Sequence, residues 1–126
     1  MRSFHKIYEI EAPVEKVWKA LVDPKYIEKW GGGPAEMDEH IGTKFELWGG
    51  DIHGANTESI HEEKLVQEWY GGDWAQASRV TFLLQKDGDT TKVELQHDDI
   101  PDSEYTEIAK GWDESYLGPI KEFLEY

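Results

Sequence analysis

The sequence predicts an α+β domain in which a curled antiparallel sheet of about six or seven strands wraps one long C-terminal helix, with two short helices after the first strand. Three observations carry this. Ile108, Trp112, Tyr116, Ile120 and Leu124 stand four apart, so on a helix over about 103–125 they form a single, slightly drifting stripe. Most of the chain before that stripe reads as short alternating runs punctuated by Gly and Asp. With 126 residues the chain holds one domain, 1–126, with a single core, and a helix ~33 Å long at 1.5 Å per residue finds no partner in it other than that sheet.

Taken in order, Phe4 to Glu11 alternates as a strand, with Phe4, Tyr8 and Ile10 on one face and His5, Ile7 and Glu9 on the other. Pro13 suits the first turn of a helix, and Val14, Val17, Trp18 and Leu21 share a face before Asp23-Pro24 closes it. A second short helix over 24–30 carries Tyr26, Ile27 and Trp30, and the Gly31-Gly32-Gly33-Pro34 run ends it as a flexible connection. Strands are then expected at Phe45–Trp48, Asp51–His61, Leu65–Tyr70, Ser78–Gln85 and Thr91–His97. Gly49-Gly50-Asp51, Gly71-Gly72-Asp73 and Asp87-Gly88-Asp89 separate them, and Gly54 marks a bulge or bend. In the last strand Val93, Leu95 and His97 point the same way as Ser78, Val80, Phe82 and Leu84 in its neighbour. Within the long helix, Gly111 and Pro119 predict a kink.

Composition narrows the function classes. Thirteen basic against 27 acidic residues give a formal net charge of −14, which disfavours nucleic acid and anionic membrane as partners. Dispersed acidity of this kind serves solubility and also suits a basic partner. There is no cysteine, hence no disulfide framework, thiol nucleophile or thiolate metal site. The N-terminal MRSFHKIYEIEAP has no continuous apolar core, no segment approaches ~20 apolar residues, and a cytoplasmic protein is expected.

No catalytic set stands out. His97, inward by parity, is the first candidate for a general base; the competing and favoured reading is a hydrogen-bonded histidine at the strand end. His53 and His61 share a strand in this reading but stand eight apart, ~26 Å at 3.3 Å per residue, too far for one metal. Ser78 and Ser115 lack any nucleophile-elbow context, and the triple glycine lacks the Lys-Ser/Thr of a phosphate cradle. No metal and no cofactor is therefore expected. Six Trp, six Tyr and four Phe exceed what a core this size needs, and surplus aromatics suit a pocket or an interface. Trp18 and Trp112 read as core, while Trp74 sits in a loop with no stripe to join.

Several stretches in order carry a family likeness: Ala12-Pro13-Val14-Glu15-Lys16-Val17-Trp18 with Asp23-Pro24, Tyr26-Ile27 through Trp30, Ile41-Gly42-Thr43-Lys44-Phe45-Glu46-Leu47, Lys64-Leu65-Val66 to Trp69, Ser78 to Phe82, and Gly111-Trp112 with Tyr116-Leu117-Gly118-Pro119. The chain resembles, over essentially its whole length, single-domain proteins related to the C-terminal domain of the activator of the heat-shock protein 90 ATPase, in the START-like (SRPBCC, helix-grip) superfamily. Thr43 and Glu63 depart from the family's usual Gly and Pro. The resemblance implies a helix-sheet cavity, and the aromatics on inward faces fill in its expected lining: Tyr8, Trp30, Phe82, His97, Trp112 and Tyr116. The expected function is non-enzymatic binding of a small hydrophobic ligand or a protein partner. The alternatives are a co-chaperone-like modulator of a heat-shock protein 90 type ATPase and a cavity enzyme using His97.

Overall fold

The computed structural model describes residues 1–72 and 74–125; Asp73 of the expected Gly71-Gly72-Asp73 connection and Tyr126 lie outside them. The elements are β1 (Arg2–Ile10), α1 (Val14–Val22), α2 (Pro24–Trp30), β2 (Lys44–Leu47), β3 (Ile52–Ile60), β4 (Lys64–Gly71), β5 (Ser78–Asp87), β6 (Thr90–Ile100), α3 (Tyr105–Gly111) and α4 (Leu117–Glu125). All strand pairs are antiparallel, in one six-stranded sheet of order β1-β6-β5-β4-β3-β2. The two short helices carry the chain from β1 to β2 at the opposite edge of the sheet, and strands β2 to β6 form a meander that brings β6 back beside β1. This is the helix-grip architecture, an α+β fold with the long helix against the concave face.

Sequence dictates each of these placements locally. The α1 segment has no side-chain cap, but Pro13 accepts from Lys16 and Val17 and starts the turn, while six of its residues, Trp18 and Leu21 among them, are buried. Asp23 caps α2 by accepting from the Lys25 amide at 2.9 Å, with Pro24 at the first helical position. In β5 and β6 burial alternates residue by residue, so Ser78, Val80, Phe82 and Leu84 face Thr91, Val93, Leu95 and His97 across one inner surface.

Four local expectations give way. Trp48 does not continue β2; it turns into a 3-10 turn with a φ of 50°. The β3 strand ends at Ile60, so His61 lies in the following turn and not on the strand with His53. The bulge in β3 falls between Asn56 and Glu58, while Gly54 serves a close approach: a Cβ there would land on the Glu68 carbonyl of β4. The triple-glycine run is tied down, with the Gly31 and Gly32 carbonyls both accepting from Trp48.

The long helix differs most. It continues through Trp112–Tyr116 as a π-helical turn between α3 and α4, and this wide turn lies between Gly111 and Pro119, the two residues at which a kink is expected from the sequence. Residues four apart advance about 40° on an α-helix, so a five-residue stripe drifts off the sheet. One wider turn takes up the extra residue and returns Ile120 to the face of Trp112 and Tyr116, and all three are buried. Gly118 permits this, since a Cβ there would overlap the Asp113 carbonyl five residues back. No helix of the described residues is long and apolar enough to cross a membrane.

Candidate functional site

Where the π-helical turn meets the inner face of the sheet, the aromatic residues gather. Tyr116 lies at ring-centroid distances of 4.9 Å from Trp30, 5.9 Å from Phe82 and 4.7 Å from Trp112. Trp69 of β4 stacks on Trp112 at 5.1 Å with an interplanar angle of 17°, and Phe82 and His97 meet Trp112 edge-on. Such contacts add to area burial at about 0.5–1.5 kcal/mol per pair.

His97 is the polar centre of this cluster. The Trp112 indole N–H donates to its Nδ1 at 3.1 Å. Nδ1 is therefore an acceptor, and the ring proton belongs on Nε2, which donates to Ser78 Oγ at 2.8 Å. The Ser78 hydroxyl in turn donates to the Trp69 carbonyl at 3.0 Å. Burial pushes the His97 imidazole down to about 4, against a smaller upward pull from Asp98. Both ring nitrogens are occupied in a closed relay, so the neutral imidazole holds Trp112 and β5 together and has no lone pair free for a substrate.

The space left between helix and sheet is a cavity of about 260 Å³ at the edge of the cluster. Its walls are Trp48, Ile52, Trp69, Ile108, Trp112 and Tyr116, and Asp51, Glu107 and Ser115 are its polar members. Asp51 comes from the β2–β3 turn and Glu107 from α3; both are exposed at the mouth. Two polar atoms of wall residues, Trp69 Nε1 and Tyr116 Oη, are buried without a partner among the described residues, and burial raises the Tyr116 phenol far above its ordinary value.

Of the six residues expected to line a cavity, Trp112 and Tyr116 line this one. Trp30, Phe82 and His97 pack directly behind them. Tyr8 is apart: its hydroxyl donates to Asp113 at 2.5 Å, and burial followed by that carboxylate raises its pKa. Sequence reasoning left out Trp69, although its spacing from Leu65 and Gln67 gives it the same inward parity. It also left out Trp48, whose left-handed backbone no pattern announces, and the rim carboxylates Asp51 and Glu107.

A second group of side chains lies away from this cavity. Glu39 accepts from the Trp18 indole at 3.3 Å and meets His61 Nδ1 at 2.7 Å, which raises the histidine and lowers the carboxylate. No group of three or more His, Cys, Asp or Glu placed to hold a metal ion occurs among the described residues.

Comparison with known proteins gives the same architecture a lineage. The family model described as Activator of Hsp90 ATPase homolog 1-like protein matches residues 11–125. An activator of 90 kDa heat shock protein ATPase homolog from Dictyostelium discoideum is 35% identical over 93 residues, 71% of this chain and 24% of that protein. The human activator of 90 kDa heat shock protein ATPase homolog 1 is 24% identical over 115 residues, 89% of this chain and 34% of that protein. The chain thus spans between a quarter and about a third of these curated relatives' length. Among solved structures, an HSP90 activator from Plasmodium falciparum superimposes with a TM-score of 0.90 at 30% identity, covering 100% of this chain and 98% of that one. The chain belongs to the Activator of Hsp90 ATPase homolog 1-like protein family, with the helix-grip fold of START-like domains.

Proposed function

We propose that this chain is a co-chaperone-type domain that binds an Hsp90-class ATPase through its surface and changes its turnover, performing no chemistry of its own. The supporting observation is the end-to-end match to the Plasmodium falciparum HSP90 activator, which has this one domain's length and 30% identity. The formal charge of −14 suits a basic patch on the chaperone, and Trp74, half-buried against Gly71, is the aromatic anchor of the contact. The test is to add the purified chain to the Hsp90-class ATPase from the same source. Faster ATP turnover and a measurable heat of binding are expected, both weakened by Trp74→Ala. An unchanged rate together with no binding heat ends the proposal.

A second reading rests on a separate observation, the 260 Å³ aromatic cavity. In this reading the domain takes up a small, largely apolar molecule between α3 and the sheet, in a concave aromatic space just below the range of drug-sized ligand pockets. Native mass spectrometry of the freshly purified protein checks it: a co-purifying mass lost on Trp112→Ala supports it.

A further inference from the structure

We infer that the cavity's ligand is a small organic cation, an ammonium group carried on an apolar body, and not a neutral or acidic hydrophobe. This rests on the reading that the cavity takes a small molecule at all. Three tryptophans and a tyrosine, Trp48, Trp69, Trp112 and Tyr116, contribute to its walls, and no Lys, Arg or His side chain is among its lining residues. Its mouth carries two carboxylates from opposite elements, Asp51 and Glu107. Neither is in an ion pair among the described residues.

A neutral apolar guest gains from such walls only through burial. A cation gains in addition from the indole quadrupoles, which is the principle of aromatic cages for quaternary ammonium groups, and from the rim carboxylates, whose attraction the low-dielectric walls focus. An acidic guest meets the same carboxylates and a chain of formal charge −14, so it is repelled. The unpartnered Trp69 Nε1 and Tyr116 Oη are buried and closed to solvent, so recognition falls to ring surface and rim charge.

The test compares choline with its uncharged isostere 3,3-dimethylbutan-1-ol. Each is titrated into the whole chain at constant ionic strength, followed by the indole and backbone N–H resonances in two-dimensional NMR. Saturable shifts at Trp48 and Trp69 are expected with choline, with the alcohol binding about tenfold more weakly. The double variant Asp51→Asn/Glu107→Gln, which changes only exposed side chains, should bring choline down towards the alcohol. Equal binding of both probes, unaffected by the double variant, overturns the cation and leaves the cavity reading standing. Absence of saturable shifts with either probe overturns both. Shifts scattered over the acidic surface with none at the three wall tryptophans mark diffuse counterion binding and also overturn the proposal.

Discussion

Protonating His97 requires Nδ1 to become a donor while the Trp112 indole already points a proton at it. The native imidazole therefore stays neutral down to about 4, whereas an unfolded chain takes the proton near 6.5. Between those values the unfolded state binds more protons, so acid favours unfolding. The contribution of this group is complete above the unfolded value and is lost as pH falls to about 4, a loss of about 3 kcal/mol for this fully buried side chain. Exposed His61, raised by Glu39, acts in the opposite sense, its contribution present below its unfolded value and lost as pH rises through the folded one. Urea unfolding of the parent and His97→Phe across this window separates the two. The variant should be less stable at neutral pH by about 1–3 kcal/mol, because the Trp112 N–H loses its acceptor, and should lose stability much less steeply on acidification. An identical slope in both proteins contradicts the relay. The inward direction of His97 is legible from Val93 and Leu95 alone. Its partners are not, since Ser78 and Trp112 are 19 and 15 residues away, and only strand register and helix docking bring them to it.

The π-helical turn explains why a stripe of residues four apart can stay on one face, and it separates two glycines that look alike in sequence. Gly118 faces the Asp113 carbonyl across the wide turn, with no room for a methyl group, whereas nothing lies within 4 Å of a Cβ at Gly111. Gly118→Ala should therefore destabilise the domain by about 2–4 kcal/mol, the scale of a forced backbone shift in a packed element. Gly111→Ala should stabilise it by about 0.5–1 kcal/mol through helix propensity alone. Chemical denaturation of the pair checks both signs, and similar effects for the two would remove the wide turn. The apolar spacing predicts that a long helix exists and which residues face the sheet. The same spacing does not disclose a wide turn, because hydrophobic period and backbone geometry become distinguishable only when the sheet holds both ends of the stripe. The β3 bulge was hidden similarly: Gly54 draws attention, yet the extra residue sits at Asn56–Glu58, set by pairing with β4. Trp48 is the site's least legible member, since a tryptophan with a φ of 50° is held by Gly31 and Gly32 carbonyls from a different part of the chain.

Over the whole molecule the acidic excess of 27 over 13 basic residues outweighs the scattered ion pairs, most of which are exposed and contribute little individually. Raising ionic strength from about 0.01 M to about 0.1 M shortens the screening length from ~30 Å to ~10 Å and relieves self-repulsion. The thermal midpoint should rise by about 2–5 °C over that range, and a fall on adding salt would show that the ion pairs dominate. The fold class was readable because strand alternation, turn residues and one apolar helix stripe all point to a single layer arrangement. A cavity was expected from the family likeness, but its rim was not legible, because Asp51 and Glu107 come from a turn and a helix joined by no sequence pattern. The edge strand β1 supplies a last consequence. Lys6 and Tyr8 bond Asp113, the Glu9 carbonyl accepts from Lys121 at 2.7 Å, and the Glu11 amide donates to Glu125, pairs 105 to 114 residues apart. In the order of synthesis, the strand made early is completed only by the helix made late. Until that helix has cleared the ribosome, the inner faces of the strands have no cover, and closure of so long a loop makes the final step entropically slow. During that interval the nascent domain exposes its own aromatic surface, and this is the aggregation-prone stage of its folding.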